Sequence, residues 1–524
     1  MAELRVGKEQ EHKTINAAAL AAKPGDTILI TPGVYLITRQ EGVAGGGVKL
    51  DVAGLTIRGD GGQVVLRGNW GPGLLDNPFG KNPTMPDARG YVGFADYGGL
   101  IQVTADNVAL ENITVEAVPC AGFDVTARRG FTLRTCATYW TMNAGLVVKV
   151  GGDGIPRSQY ARDITVEGCR FFMASCGSLD AAWVARRNAV DAASGAVRMG
   201  LIEGPVTFRG NILAGCWGEG FDVGKGVYGT PDAPVLIENN WFGDAAHSCL
   251  YFNHVDGGDG EPGVIARNNV IFVTVDHPMW QTPPGNAGRQ LAFRDERPDK
   301  FFSSRNILAE NNLILGGDGL LVSVREGKAA RGVVIRRNTI VAGAMTGKEL
   351  VIMTGGTGVF ENNVVIGDGE GGYTRGGEGF TFRRNAWSEL PVERMRHADD
   401  LIIEADVLAA PQRPIRLPDR GSAYPATADE YQRRFVPVID LADYRPAPSS
   451  PLLREGGYIG ALGPGGPNPP PPPPDDETPV DWDALIEQVN VAEANAATAA
   501  LAGRAAAEEL VALRVVLEQL RDAA

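Results

Sequence analysis

The sequence predicts an all-β fold, a right-handed parallel β-helix over residues 1–462 with an N-terminal capping helix. A proline-rich linker (463–480) and an α-helical coiled-coil tail (481–524) are expected to follow. Three observations lead to this prediction. A strand-like apolar motif recurs with asparagine at its end, a run of prolines follows the last repeat, and apolar residues then recur at helical spacing.

The repeated motif resembles VLIENNWF, and its second asparagine sets a common register. The residues five and three positions before this anchor, and two positions after it, are apolar in every repeat except at Thr138 and Gly358. This spacing indicates a strand with one buried face, a corner and a second strand, whereas a helical bundle would need steps of three and four. Asparagine suits the corner because it tolerates left-handed backbone angles and its amide can stack on the next coil. The anchors, 22 to 43 residues apart, are Cys136, Cys169, Asn211, Asn240, Asn269, Asn312, Asn338, Asn363 and Asn385.

The two ends of the repeat region carry a resemblance to a known superfamily. TINAAALAA predicts a short helix capped by Thr14, and KPGDTILITPGVY then predicts a turn and a strand. This opening resembles that of the pectate-lyase-like right-handed parallel β-helix superfamily, in which an amphipathic helix plugs the first coil. DYRPAPSSPLLREGGYIGALG (443–463) resembles the closing segment of many bacterial and phage β-helix proteins. The resemblance implies the architecture, but one scaffold hosts lyases, hydrolases, epimerases and plain binders.

The C-terminal part is predicted to be a stiff spacer and an associating helix. GPGGPNPPPPPPDDETP favours a polyproline conformation. The following residues form an unbroken heptad seam, which favours a homo-oligomer or a partner's helix over a lone helix lying back on the solenoid. A trimer is implied by the resemblance to phage tailspikes. The seam consists of Trp482, Leu485, Val489, Ala492, Ala496, Ala499, Gly503, Ala506, Leu510, Leu513, Leu517 and Leu520.

The composition argues against some classes of binding partner. The formal net charge is -14, which argues against a nucleic-acid backbone or an anionic membrane surface as the main partner, because both attract basic patches. No apolar run is long enough to insert into a membrane, and the N-terminus lacks a secretory signal layout. We therefore expect no membrane insertion, and a place on a virion or an extracellular surface. The six cysteines are expected to be buried free thiols, with disulfides or a metal site as alternatives.

The first candidate site lies around GEGFDVGKG, which contains Glu219, and the coil after it. Asp222 and Asp244 are separated by nearly one coil length, so we expect them on adjacent rungs of one face, where paired carboxyls can share a proton or hold a cation. His247 is a third catalytic candidate, and Lys225 is a candidate for binding sugar. The alternative is that these are solvated or structural carboxylates.

The second candidate site lies in the long interval between Asn269 and Asn312, which includes Asp276, His277 and Asp295. Trp280, Arg289 and Arg297 would suit an acidic sugar in a groove walled by a loop. In β-helix polysaccharide lyases an Arg or Lys commonly takes the sugar's α-proton, often with calcium on the carboxylate, so the resemblance implies Arg294 or Lys300 as the base. The alternative is a set of ion pairs that anchor the loop.

The third candidate is the glycine-rich loop HVDGGDGEPG. Asp256, Asp259 and Glu261 supply oxygen ligands of the kind that calcium prefers. Calcium is the one cofactor that the sequence suggests, and a plain solvated turn is the alternative.

Three functions agree with these features. The first is a virion-type spike or fibre subunit that binds, and in some cases cleaves, bacterial surface polysaccharide. The second is a bacterial polysaccharide lyase, glycosidase or epimerase on the same scaffold. The third is a structural or adhesive solenoid without a catalytic site.

Overall fold

A computed structural model describes residues 1–37, 47–77, 79, 84–85, 98–179, 195–281, 289–296, 301–317, 321–324, 330–343, 349–367, 374–403, 407–411, 414–454 and 457–462. Within these residues the strands form three long parallel sheets, which we name A, B and C. The predicted linker and coiled-coil tail lie outside the described residues.

Sheet A contains β1 (Glu3–Val6), β2 (Thr27–Ile30), β5 (Thr56–Gly59), β8 (Ala109–Glu111), β11 (Arg129–Arg134), β14 (Arg162–Glu167), β18 (Val206–Arg209), β21 (Val235–Glu238), β24 (Val264–Arg267), β27 (Ile307–Glu310), β30 (Val333–Arg336), β33 (Gly358–Glu361) and β36 (Phe380–Arg383). Sheet B contains β3 (Gly33–Leu36), β6 (Val64–Arg67), β9 (Ile113–Val118), β12 (Ala137–Thr141), β15 (Arg170–Ala174), β19 (Ile212–Cys216), β22 (Trp241–Ala245), β25 (Val270–Val273), β28 (Leu313–Gly316), β31 (Thr339–Ala342), β34 (Val364–Ile366), β37 (Ala386–Trp387) and β38 (Leu401–Ile402). Sheet C contains β4 (Val48–Leu50), β7 (Gly99–Val103), β10 (Ala121–Val125), β13 (Leu146–Lys149), β16 (Val197–Gly200), β17 (Ile202–Glu203), β20 (Phe221–Tyr228), β23 (Ser248–Asp256), β26 (Arg289–Phe293), β29 (Val322–Val324), β32 (Val351–Met353) and β35 (Thr374–Gly376). The short strands β39 (Leu453–Arg454) and β40 (Gly457–Tyr458) form an antiparallel pair.

Two α-helices are described, α1 (Ile15–Ala21) and α2 (Ala428–Phe435). Short 3-10 helices span Pro72–Leu74, Arg157–Gln159, Cys176–Leu179, Pro278–Gln281, Glu393–Met395 and Leu441–Tyr444. No helix of the described chain is long and apolar enough to cross a membrane.

The chain visits sheets A, B and C in turn, and each strand pairs in parallel with the equivalent strand of the next coil. Three parallel sheets of this kind fit a right-handed β-helix, so the predicted solenoid is confirmed. The predicted inward positions are buried: Ile237 and Ile335 have no exposed surface and Phe382 is 4% exposed. Of the predicted apolar positions only Gly358 and Phe380 are partly exposed. A coil buries its apolar face only by stacking on its neighbours, which explains why one register runs through the chain.

The anchor asparagines form a buried ladder from Asn211 to Asn385. In each step one amide group donates to the carboxamide oxygen of the next anchor, for example from Asn240 Nδ2 to Asn269 Oδ1 at 3.0 Å. The same amide also donates to a backbone carbonyl of the preceding coil, from Asn240 Nδ2 to Phe208 O at 2.9 Å. In the early coils the thiol of Cys169 makes the equivalent contact with Leu133 O at 3.5 Å. The predicted stacking is therefore present.

The predicted left-handed corner angle belongs to a different residue. It is adopted by the residue before the anchor, as at Asn239 (φ 58°) and Asn268 (φ 55°), and even by Arg337 (φ 54°). The anchors themselves have no positive φ. Anchor and corner are thus separate requirements, because the ladder needs a buried carboxamide while the corner needs only a backbone that tolerates this angle.

A second ladder covers the outer face of sheet A. Adjacent coils place oppositely charged residues in register, and many of the pairs are in contact, including Arg209 to Glu238 at 2.8 Å and Arg267 to Glu238 at 2.7 Å. Alternating charges neutralise one another along this face. Sheet A is therefore a poor place for a charged ligand. The ladder runs Arg58, Glu111, Arg134, Glu167, Arg209, Glu238, Arg267, Glu310, Arg336, Glu361 and Arg383.

The outer face of sheet B is covered by the chain itself. Tyr431 of α2 packs on Tyr139 and Phe172, with ring centroids 5.6 and 4.9 Å apart. Polar contacts support the packing, since Glu116 accepts from the backbone N–H of Ala428 at 2.9 Å. This returning segment forms a second apolar core with sheet B. We therefore expect a ligand site on the outer face of sheet C.

At the N-terminus α1 begins after the predicted cap, because the Thr14 side chain accepts from Ala17 N. Ile15, Ala18 and Ala19 are buried in the main core. The helix is present where it was predicted, and its function as the plug of the first coil stays a prediction. The six cysteines are buried free thiols in the described chain.

Candidate active site on sheet C

One row of side chains on sheet C points away from the core. Arg198, Asp222 and Tyr251 are register partners on β16, β20 and β23. The residues on either side of Asp222, Phe221 and Val223, belong to the buried core. Since side chains alternate along a strand, the three partners face outward, on neighbouring rungs about 4.8 Å apart.

Asp222 lies at the floor of this site. Its residue is 6% exposed, and its Oδ2 lies 3.3 Å from Nε of Arg198. Its Oδ1 is buried and has no hydrogen-bond partner. Burial raises the pKa of Asp222 to about 6, although the Arg198 charge opposes the shift. This carboxyl is thus poised to hold or release a proton near neutral pH.

His247 and Glu219 form a second pair beside it. Nδ1 of His247 lies 3.5 Å from Oε1 of Glu219. Burial acts to raise the pKa of Glu219, but the hydrogen bond and charge of His247 outweigh it, so the pKa of Glu219 is lowered. Glu219 therefore remains charged and orients the imidazole, as a carboxylate does in many acid–base sites.

Glu296 reaches the same site from the segment after β26. Its backbone N–H donates to Asn253 Oδ1 at 3.2 Å, and Asn253 Nδ2 donates to Glu296 Oε2 at 3.4 Å. The Tyr251 hydroxyl donates to the carbonyl oxygen of Arg294 at 3.2 Å. Burial, with the nearby charges of Glu296, Asp222 and Glu219, raises the pKa of Tyr251 far above its usual range. The phenol therefore stays protonated and can only donate or accept a hydrogen bond.

Two glycines lie beside Asp222 where the surrounding atoms leave no room for a Cβ atom. Gly224 is the register partner of Asn253, and a Cβ atom on it would stand 2.8 Å from Asp222 Oδ1. A Cβ on Gly200 would stand 2.6 Å from the carbonyl oxygen of Gly224. Glycine at these two positions therefore allows the strands and the Asp222 carboxyl to pack closely.

The rim of the site is open to solvent. The side chains of Arg198 and His247 are 32% and 30% exposed, and Arg294 and Glu296 are exposed. The site therefore combines a buried carboxyl with charged groups that a ligand can reach. Such a combination is suited to proton transfer on a bound molecule.

The predicted pairing of Asp222 with Asp244 is wrong. Coils are 29 residues long in this region, as shown by the Asn211 to Asn240 step, so the partner of Asp222 one coil later is Tyr251. Asp244 precedes Tyr251 in the sequence and lies on β22 of sheet B. There it is fully buried and accepts from N and Oγ1 of Thr274, at 2.8 and 3.1 Å. Burial raises the pKa of Asp244 to about 8.

The second predicted cluster is divided between two sheets. His277 is buried beneath α2, where its Nε2 lies 3.0 Å from the Tyr431 hydroxyl, and burial lowers the pKa of His277 to about 3. Trp280 is partly buried beside it and donates from Nε1 to Thr274 O at 2.7 Å. These side chains therefore belong to the core over sheet B rather than to an open groove. A role in sugar binding for Trp280 stays a prediction.

The rest of this cluster lies on the sheet C side. Arg289 begins β26, in register with Ser248, and Arg294 is at the exposed rim. Both are therefore placed on the same sheet as Asp222. Arg297 and Lys300 lie outside the described residues. The predicted roles of Arg289 and Arg294 stay predictions, and Asp295, also of this cluster, is buried.

The third cluster is bound by an arginine. Nε and Nη1 of Arg305 contact Asp256 and Asp259, at 2.8 and 2.6 Å. Glu261 contributes its carbonyl oxygen to a contact with Asn306 Nδ2 at 3.3 Å. In the described part of the chain no group of three or more His, Cys, Asp or Glu side chains is arranged to hold a metal ion. The Arg305 guanidinium thus supplies positive charge to two of the three carboxylates, and calcium at this loop stays a prediction.

Sequence reasoning placed Asp222, Glu219, Lys225 and His247 in one cluster but missed Arg198, Tyr251, Asn253 and Glu296. The missed residues come from other coils with loops of different lengths between them. Arg198 and Tyr251 could have been found by aligning the inward apolar positions of sheet C, as was done for sheet A. Lys225 lies close enough for its charge to lower the pKa of Asp222.

Comparisons with known proteins concern the fold. No family model matches the sequence, and no curated protein matches it. Pectate lyase Pel9A is 16% identical, with 88% of this chain and 96% of that chain covered and a TM-score of 0.41. A PL6 alginate lyase complexed with a trisaccharide is 12% identical, with coverage of 82% and 94% and a TM-score of 0.40. ORF18 of Geobacillus virus E2 is 11% identical, with coverage of 72% and 58% and a TM-score of 0.31. The likeness concerns the fold, and the parallel β-helix itself is established by the three stacked parallel sheets described above.

Proposed function

We propose that this chain binds polysaccharide over sheet C and acts on it by acid–base chemistry at Asp222. The proposal depends on one observation. Asp222 is a buried carboxyl with an unpartnered oxygen, below a rim of charged side chains. An unpaired buried oxygen is costly in a structural position, and a ligand hydroxyl or glycosidic oxygen would satisfy it.

The solenoid suits an extended polymer. Successive outward rows of sheet C repeat every coil, about 4.8 Å apart, which is close to the length of one sugar unit in a chain. Sheets A and B leave less surface for a ligand, because the charge ladder covers sheet A and the returning segment covers sheet B. The solved structures named above include a pectate lyase and an alginate lyase, but only the geometry of the site supports this proposal.

The test is a panel of capsular and pectic polysaccharides. Wild-type protein is incubated with each polymer, and reducing ends and the ultraviolet absorbance of unsaturated products are both recorded. We expect a product with at least one polymer and its loss in Asp222→Asn. Glu378→Gln is the control, because its side chain is 76% exposed and lies on another coil. No product and no binding across the panel would overturn the proposal.

We also propose, from the tail, that the chain is an oligomeric spike or fibre subunit of a virion or extracellular surface. The heptad seam after a stiff spacer supports this proposal. Mass measurement of the full chain and of a chain ending at Leu462 tests it. A trimer that becomes a monomer on truncation is expected, and two monomers would refute it.

A further inference from the structure

A row of aliphatic side chains lies on the outer face of sheet A, next to the charge ladder. It is formed by the second residue of β21, β24, β27, β30 and β33, and each member is the register partner of the next. Leu308 is 6% exposed and the other members are partly exposed. None of them belongs to either apolar core formed by the described residues. We name this row the aliphatic stripe, and it consists of Leu236, Ile265, Leu308, Val334 and Val359.

The same row carries mainly threonine in the earlier coils. Thr207 is the register partner of Leu236, and Thr381 follows Val359 at the other end. The backbone of this row therefore accepts threonine, which suits an outward strand position. A contiguous set of aliphatic side chains on the outer face instead indicates a surface that meets other apolar groups. The earlier members of the row are Thr56, Ala109, Thr132, Thr165 and Thr207.

The charges beside the stripe allow a second copy to approach. Two chains with a formal net charge of -14 repel one another, but the charge ladder alternates in sign along this face and nearly neutralises it. Each stripe residue stands two positions before a member of the ladder. The stripe is therefore an apolar centre with a charged rim along one side, which is the usual anatomy of an interface between protein chains. The adjoining ladder members are Glu238, Arg267, Glu310, Arg336 and Glu361.

The last described residues bind the coils that carry the end of the stripe. Gly460 N donates to Asn362 O at 3.0 Å, and Ala461 N donates to Thr339 Oγ1 at 2.9 Å. Both acceptors lie just after the strands that hold the last two members of the stripe. The predicted linker and tail follow directly in the sequence. Copies that associate through their tails are therefore tethered at the coils that carry the stripe.

We infer that the aliphatic stripe is the surface at which the solenoids of two copies of this chain pack together, an inference that rests on the oligomer proposed above. Five aliphatic side chains are far fewer than the roughly 20–30 residues a side of a stable interface, so the contact forms only between chains joined by their tails. Joining raises the effective concentration of the second solenoid far above that of free chains. Leu308 is the middle member, so it meets its own counterpart whether the solenoids run parallel or antiparallel. Packing through sheet A leaves sheet C open to polysaccharide.

The experiment uses full-length chains with one added cysteine and a short bis-maleimide cross-linker. Packed sheets lie about 10 Å apart, which is too far for a disulfide but within reach of such a linker. We expect Leu308→Cys to give cross-linked oligomers, and Thr56→Cys to give no more product than the wild type, whose six thiols are buried. Thr56 is the matched control because it lies on the same row, well before the stripe, and is more exposed than Leu308.

A second variant tests the apolar character of the contact. Ile265→Thr and Val334→Thr are added to Leu308→Cys. These changes should leave the fold intact, as an unchanged urea midpoint would verify, because threonine occupies this row in earlier coils. We expect the mass of the oligomer to persist through the tail, while the cross-linked product falls to the level of Thr56→Cys.

Each other outcome refutes a distinct claim. An oligomer without cross-linking at Leu308→Cys, or with equal cross-linking at Thr56→Cys, would refute the stripe and leave association through the tail intact. Unchanged cross-linking after the two threonine substitutions would refute the apolar contact. A monomeric full-length chain would refute both the stripe and the proposed oligomer. Slow reaction of Leu308→Cys with a single maleimide in that monomer would show that the chain itself covers the stripe.

Discussion

Replacing Asn269 by alanine tests the ladder as the main polar support of the solenoid. Oδ1 of Asn269 accepts from N and Nδ2 of Asn240, each at 3.0 Å. Nδ2 of Asn269 donates to Ile237 O and to Asn312 Oδ1, each at 2.9 Å. Alanine would leave the Asn240 backbone N–H and one hydrogen of the Asn240 side-chain amide without acceptors in a dry interior.

The magnitude follows from these two orphaned groups. Each buried unsatisfied group costs about 1–3 kcal/mol, so Asn269→Ala should lower the free energy of unfolding by about 4 kcal/mol. The control is Asn268→Ala, at the adjacent corner with φ 55°. It disturbs only the left-handed backbone, which costs about 1 kcal/mol in a residue other than glycine. Asn268→Gly should be nearly neutral.

The assay is equilibrium unfolding in urea, followed by the fluorescence of the eight tryptophans. The expected order of midpoints is wild type, then Asn268→Ala, then Asn269→Ala at a clearly lower concentration. If Asn268→Ala were as destabilising as Asn269→Ala, the corner angle rather than the carboxamide ladder would be the stabilising feature. The separation of the two roles would then be wrong.

Three further predictions concern ionisable groups. Because Asp222 must donate a proton and its pKa is raised to about 6, turnover should fall as pH rises above about 6. A pH–rate profile that is flat up to pH 8 would contradict the role of Asp222 as the acid. The pKa of Asp244 is raised to about 8, so between about pH 4 and pH 8 the folded state holds a proton that the unfolded state has lost. The stability of the wild type should therefore decline as pH rises across that window. Thermal melts of Asp244→Asn should lack this part of the decline. Glu238→Lys would place a third cation between Arg209 and Arg267 and should cost about 2 kcal/mol in urea unfolding, with Glu238→Gln costing less; equal stability of the two variants would show that the charge ladder contributes little.

The core of the solenoid was readable from the sequence because burial there is local to each coil. Ile237 and Ile335 sit at a fixed distance from their own anchors, so a period of two and an asparagine were enough to place them inside. The ladder was predicted for the same reason. The corner angle was assigned to the wrong residue, because a propensity for left-handed angles does not distinguish Asn239 from Asn240.

The polar residues of the candidate site come together only because segments far apart in the sequence pack against one another. Coil length varies, so only the stacked structure shows that Tyr251 and not Asp244 lies next to Asp222. No local pattern indicated that the segment carrying Tyr431 would cover sheet B, or that Glu296 would return to sheet C. The sequence by itself therefore determined the fold and the inward face of each coil, since both depend on short-range spacing. The tertiary structure decided which polar groups meet on the outer face, because loop closure and register between coils bring them together.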